Sequence, residues 1–131
     1  MSNLSLEQQL RNVKVVPVIA IKDAALAVPL AKTLVDNGLP CAEVTFRTEA
    51  GQESIRLMRE AYPDMLIGAG TVLTTQQVDQ AIEAGVDFIV SPGFNPTVVK
   101  YAQQRGAVIV PGVNNPSFVE QAMEMGLKTL K

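Results

Sequence analysis

Glycine recurs at a near-constant interval in this chain. Gly85, Gly106 and Gly126 stand 21 and 20 residues apart, each closing an amphipathic segment and each opening a short apolar run. Gly38 lies 47 residues before Gly85, about two such units, and Tyr62-Pro63-Asp64 stands where the intervening glycine would be. A glycine just beyond a helix takes the left-handed conformation that closes the last turn, so the apolar run after it predicts a strand. Strands are predicted over 42–46, 65–67, 88–90, 108–110 and 127–130, with an earlier one over 13–21 interrupted by Pro17. Residues 4–12 read as a short amphipathic helix, and 23–37 as a longer one with Ala27, Leu30, Ala31, Leu34 and Val35 on one face. Thr75, the pair Asn95-Pro96 and Pro116 mark the starts of three more helices.

Strands alternating with helices at this period imply right-handed βαβ units and a parallel sheet. The reading is one domain over residues 1–131: a short N-terminal helix, five βα units and a sixth strand. Two architectures accommodate it, an open doubly wound sheet or a (βα)8 barrel cut after its sixth strand, since a complete barrel takes about 200 residues or more. The strand ends favour the barrel. Glu43 and Arg47, Gly68-Ala69-Gly70-Thr71, Ser91-Pro92-Gly93, Pro111-Gly112 and Lys131 all follow or finish predicted strands, and a barrel gathers its active site at those ends. A doubly wound sheet would need only the few ends beside its switch point.

Composition narrows the chemistry. Histidine is absent, which removes the commonest general base and the commonest metal ligand and argues against a zinc site. A net charge of −2, no basic run and 5% aromatic residues argue against a nucleic-acid partner. The single cysteine, Cys41, excludes an internal disulfide and reads as core packing in a reducing compartment. No apolar stretch approaches the roughly 18 residues of a membrane span, and the first residues lack a signal-peptide pattern, so the expectation is a cytoplasmic protein.

Alternation along 42–47 sets Glu43, Thr45 and Arg47 on one side of a strand and Ala42, Val44 and Phe46 on the other. An acid and a guanidinium there form either a structural ion pair or a site in which Arg47 grips a carboxylate while Glu43 shuttles protons. Gly68-Ala69-Gly70-Thr71 is either a tight turn capped by threonine or a place where a ligand approaches the backbone, with Thr71 offering its hydroxyl. Pro92 is a turn residue that could also line a pocket. If Leu130 faces the helices, Lys131 faces the sheet interior, where burial near Arg47 would free its amine as a nucleophile. An ordinary solvated lysine is the alternative.

Val16-Pro17-Val18-Ile19, Glu43-Val44-Thr45-Phe46-Arg47-Thr48-Glu49, Gly68-Ala69-Gly70-Thr71-Val72-Leu73, Ser91-Pro92-Gly93, Pro111-Gly112-Val113 and Gly126-Leu127-Lys128-Thr129-Leu130-Lys131 occur in that order. Together they closely resemble the 2-keto-3-deoxy-6-phosphogluconate (KDPG) / 4-hydroxy-2-oxoglutarate aldolase family, along the whole chain. The resemblance implies a (βα)8 barrel, a homotrimer, and a class I aldolase that uses neither metal nor cofactor. It implies Lys131 as the Schiff-base lysine, Glu43 as the acid/base, and Arg47 and Thr71 as binders of the pyruvate carboxylate, with Pro92 added to the substrate-binding set from its place in the turn. The implied reaction splits 2-dehydro-3-deoxy-6-phosphogluconate into pyruvate and glyceraldehyde 3-phosphate, or 4-hydroxy-2-oxoglutarate into pyruvate and glyoxylate. For the 131-residue chain by itself, weak or no cleavage is expected. The other readings are an inert barrel fragment that self-associates and a different sugar-phosphate barrel enzyme. The latter leaves Lys131 unexplained.

Overall fold

The computed structural model describes residues 4–131. Helix α1 (Leu6–Val13) comes first, opened by a capping box in which the Ser5 hydroxyl and the Gln8 amide each bond the other's backbone N–H. Strand β1 (Val18–Ile19) follows, then a 3₁₀ turn (Ala24–Leu26) running into α2 (Ala27–Asp36). The remaining elements alternate: β2 (Cys41–Thr45), α3 (Gly51–Ala61), β3 (Leu66–Gly70), α4 (Thr75–Ala84), β4 (Phe88–Ser91), α5 (Pro96–Gln104), β5 (Ile109–Pro111) and α6 (Pro116–Glu124). The five strands form one parallel sheet in the order β1-β2-β3-β4-β5. Sequential order without a reversal is the pattern of a barrel wall and lacks the switch point of a doubly wound sheet.

The periodic glycines act as expected: Gly85, Gly106 and Gly126 have φ of 89, 72 and 79° just past their helices. The unit without one is closed by an arginine. Arg59 Nη1 donates to the carbonyls of Pro63 and Met65 beyond α3, and its Nε donates to Gly85 O. Its Nη2 meets the Asp87 carboxylate at 2.6 Å, and that carboxylate also accepts from Ile67 N–H at 2.8 Å. One guanidinium thereby ties the start of β3 to the start of β4. Thr74 caps α4, one residue before the predicted start, and Asn95 and Asn115 cap α5 and α6 as their proline-led sequences implied.

Two predicted strands differ from the observed ones. The strand expected over 13–21 is only Val18–Ile19, because α1 continues through Val13 and ends in Lys14 at φ 64°, and because Pro17 has no N–H to donate. Pro17 still offers its carbonyl to Glu43 N–H at 2.9 Å. The sixth strand predicted over 127–130 is absent. Only Lys131 pairs with the sheet, its N–H donating to Pro111 O at 3.0 Å and its carbonyl accepting from Val113 N–H at 2.9 Å. A single residue with one flanking strand makes a contact and no ladder.

Strands β2 to β5 are buried on both faces, as in a parallel sheet, while β1 at the edge stays partly exposed. Ala42, Val44, Ile67, Ala69, Ile89 and Ile109 pack outward against α2–α5. Cys41, Leu66, Phe88, Val90 and Val110 form the inner cluster, closed at the strand starts by Leu6, Leu10 and Val13 of α1. Burial pushes the Cys41 thiol up to about 11, which leaves it an inert packing group. No helix among the described residues is long and apolar enough to cross a membrane. Above the inner cluster, Glu43, Gly68 and Phe88 lie side by side in register on β2, β3 and β4. A Cβ on Gly68 would stand 2.3 Å from the Phe88 ring, so the ring occupies the space that Gly68 vacates. Gly68→Ala is expected to lower stability by about 1–3 kcal/mol, as overpacking a rigid core does. A shift in the urea midpoint checks this, and an unshifted midpoint would mean that Phe88 has room to move.

Candidate active site

Glu43 lies on the inner face of β2 and is 5% exposed. Its carboxyl fits because β3 carries glycine beside it: a Cβ on Gly70 would come within 2.2 Å of Glu43 Oε1. Thr45, on the same side of β2, is wholly buried and donates to Ile19 O at 3.0 Å, which locks β1 to β2 and leaves this hydroxyl to the fold. Lys131, beside the β5 edge of the sheet, places Nζ 3.9 Å from Glu43 Oε1. That is too long for a hydrogen bond and short enough for strong attraction.

Burial dominates the electrostatics of Glu43 and raises its proton affinity above the ordinary glutamate value. The charges of Lys131 and Arg47 pull the other way without reversing the shift. Lys131 departs from expectation in its surroundings: its side chain is 47% exposed, so it is not the buried lysine the strand alternation implied. With no sixth strand around it, nothing on that side removes it from solvent.

Arg47 sits in the turn after β2, outside the strict alternation of the strand, and donates from Nε to Thr71 Oγ1 at 3.2 Å. Thr71 follows β3 at φ 57°. A β-branched residue in the left-handed region is a strained arrangement, costing on the order of 1–3 kcal/mol and retained where surroundings or function demand it. Here it turns the threonine hydroxyl to the guanidinium. Arg47 also walls an outer polar depression of about 390 Å³ with Glu49, Gln77 and Gln80, which neither Glu43 nor Lys131 lines.

Pro92, in the loop after β4, is exposed and shares a depression of about 250 Å³ with Lys131. Gly112 makes that proximity possible, since a Cβ there would stand 2.2 Å from Pro92 O. The structure thus brings Glu43 to Lys131, Arg47 to Thr71 and Pro92 to Lys131, and Glu43 is the group that feels both cations. Sequence reasoning missed the roles of Gly68 and Gly70. The signal was present as two glycines at strand spacing on one face, opposite a bulky ring and an acid.

What the arrangement can do chemically follows from its parts. A primary amine in partial solvent contact can add to a carbonyl, and a carboxyl of raised proton affinity beside it can both deliver and accept protons. Among the described residues nothing is hydrogen-bonded to the Arg47 Nη groups, which can take a carboxylate.

Comparison with known proteins matches residues 6–131 to the family model described as KDPG and KHG aldolase. A 2-dehydro-3-deoxy-phosphogluconate aldolase of Haemophilus influenzae is 52% identical over 124 residues, covering 95% of this chain and 58% of that protein. The crystal structure of the 2-keto-3-deoxy-6-phosphogluconate aldolase of Zymomonas mobilis with 3-phosphoglycerate superposes with a TM-score of 0.83. It shares 41% identity and covers 92% of this chain and 59% of the other. The KDPG aldolase from Legionella pneumophila, with pyruvate captured as a covalent carbinolamine, gives a TM-score of 0.82. Its identity is 37%, over 86% of this chain and 54% of that one. The chain therefore spans about three fifths of the length of the curated relatives it matches.

The pKa direction of Glu43 carries a sign. A carboxyl whose folded-state proton affinity is raised is most stabilising when protonated, so its contribution is complete below the unfolded value and is lost as pH rises through the folded one. Glu43→Gln, which removes the buried charge, is expected to be more stable than the parent at pH 7. That gap should close as pH falls below about 4.3, the ordinary glutamate value. Urea unfolding at both pH values checks it; a gap that widens in acid would contradict the shift.

Proposed function

Because the chain belongs to the KDPG and KHG aldolase family, we propose that it performs class I aldolase chemistry, with Lys131 forming the Schiff base and Glu43 moving the protons. The substrates would be 2-dehydro-3-deoxy-6-phosphogluconate, split into pyruvate and glyceraldehyde 3-phosphate, or 4-hydroxy-2-oxoglutarate, split into pyruvate and glyoxylate. The observation that carries this reading is Lys131 Nζ lying 3.9 Å from a buried carboxyl of raised proton affinity. The relative with pyruvate held as a carbinolamine supports the same chemistry.

The steps follow from these groups. Lys131 Nζ, as the free amine, adds to the keto carbon, and the carbonyl oxygen leaves as water once Glu43 has supplied a proton. The resulting iminium withdraws electrons from the bond between C3 and C4. As that bond breaks, Glu43 takes the proton of the C4 hydroxyl, the aldehyde departs, and an enamine of pyruvate remains on Lys131. Protonation at C3 and hydrolysis return the lysine. Arg47, oriented by Thr71, would hold the keto-acid carboxylate, and Pro92 would border the lysine.

The proposal extends to architecture. The sequential parallel sheet, helices on its outer face and chemistry at the strand ends fit a single domain over 1–131 that forms the first part of a (βα)8 barrel. A cytoplasmic homotrimer is the assembly that accompanies this reading. A second reading, an inert chain that associates with itself, draws on apolar side chains exposed on and beside β1, among them Val15 at 61%, Val18 at 50% and Leu26 at 59%.

Reductive trapping separates the two. The chain mixed with pyruvate and borohydride is expected to gain one reduced pyruvate on Lys131, located by peptide mass spectrometry, and Lys131→Met is expected to gain none. Glu43→Gln should slow the adduct by roughly 10²-fold, the usual contribution of a positioned proton-transfer group. A folded chain that gains no adduct, or gains it on another lysine, would support the inert reading instead.

A further inference from the structure

Lys131 opens in two directions. Its amine faces Glu43 toward the sheet interior, and its side chain also walls the depression of about 250 Å³ between the loops after β4 and β5, which Glu43 does not line. Two of the side chains that line it are aromatic. Phe94, from the loop after β4, and Phe118, from the first turn of α6, are both half-buried, with ring centroids 6.1 Å apart and planes tilted by 36°. Pro92 and Gly112 close it where the two loops touch. Gly93 adds space, since a Cβ there would meet nothing within 4 Å.

A lysine and a pair of phenylalanine rings lining one depression suit more than a small polar keto acid. We propose that Phe94, Phe118 and Pro92 form an acceptor subsite beside Lys131 that takes the aromatic or bulky apolar side chain of a 2-oxo acid. This rests on the Schiff-base reading of Lys131. The keto carbon bonds Nζ, the carboxylate turns inward to the Arg47 side, and the substituent on C3 lies outward against the two rings. Volume permits it: a cavity of about 150 Å³ already accommodates benzene. Rings favour it as well, because a third aromatic group placed offset or edge-on gains beyond its area of burial.

Pyruvate and phenylpyruvate trapped separately with borohydride test the subsite. In each case the Nζ–carbon bond forms, the ketone oxygen leaves as water, and borohydride supplies the hydride that fixes the imine as a secondary amine. The readout is the ligand concentration that half-saturates the adduct on Lys131. Phenylpyruvate is expected to half-saturate at a lower concentration than pyruvate. Phe118→Ala should raise the phenylpyruvate value roughly three- to tenfold while changing the pyruvate value less than about twofold. Phe118→Leu, which keeps apolar volume in α6, decides the matter if the alanine variant does not fold, and should show the same selective loss. Equal trapping of the two acids, or equal losses in the variants, overturns the subsite and leaves the Schiff-base reading standing. A folded chain that traps neither acid overturns both.

Discussion

A carboxyl buried on the inner face of a parallel sheet governs the design of this chain. Removing an ionised carboxylate from water costs several kcal/mol after relaxation, and a partner repays that only when it too is close and desolvated. Here the nearest cation is 3.9 Å away and about half exposed, and the net effect on Glu43 is still a raised proton affinity. The core did not require this group. An apolar residue at position 43 would extend the layer of Cys41, Leu66 and Phe88 without penalty. On the proposed reading, the chemistry of Glu43 is what offsets that cost.

The backbone is arranged around that carboxyl. Register places Gly68 level with Glu43 and Gly70 level with Thr45, so β3 presents two bare positions to the interior where its neighbours present a carboxyl and an aromatic ring. Thr71, immediately after, takes a left-handed conformation that its branched side chain disfavours and so accepts the hydrogen bond from Arg47. Room for the acid and orientation for the base thus come from four consecutive residues of one strand end. The starts of β3 and β4 are meanwhile fixed by Arg59 and Asp87, at the opposite end of the strands from Arg47, Thr71 and Lys131.

Much of this is legible in the residues alone. The spacing of Gly85, Gly106 and Gly126 is a repeat of helix ends, and β2 to β5 fall close to the apolar runs predicted after Gly38, Tyr62-Pro63-Asp64, Gly85 and Gly106. Alternation along β2 puts Glu43 on the interior side as read, whereas the inward placing of Lys131 is conditional on a strand that does not form, and its closeness to Glu43 is implied by the family resemblance. What escaped prediction depends on neighbours. The run over 127–130 makes no ladder with β5, only Lys131 bonding Pro111 and Val113, and Leu127 packs on the outer core instead. The exposure of Lys131 follows from the same lack. The length of β1 was hidden because α1 runs into Val13 and ends at Lys14, and the functions of Gly68 and Gly70 appear only when the side chains facing them are known.

Titration of the Glu43 side-chain carboxyl, followed by carbon-13 NMR with selectively labelled glutamate assigned through Glu43→Gln, tests the central claim most directly. A midpoint above about 4.3, moving further upward when Lys131 is replaced by Met, is the expected result, since burial holds the proton and the lysine charge opposes it. A midpoint at or below that value, indifferent to Lys131, would mean that the carboxyl is solvated and uncoupled from the amine.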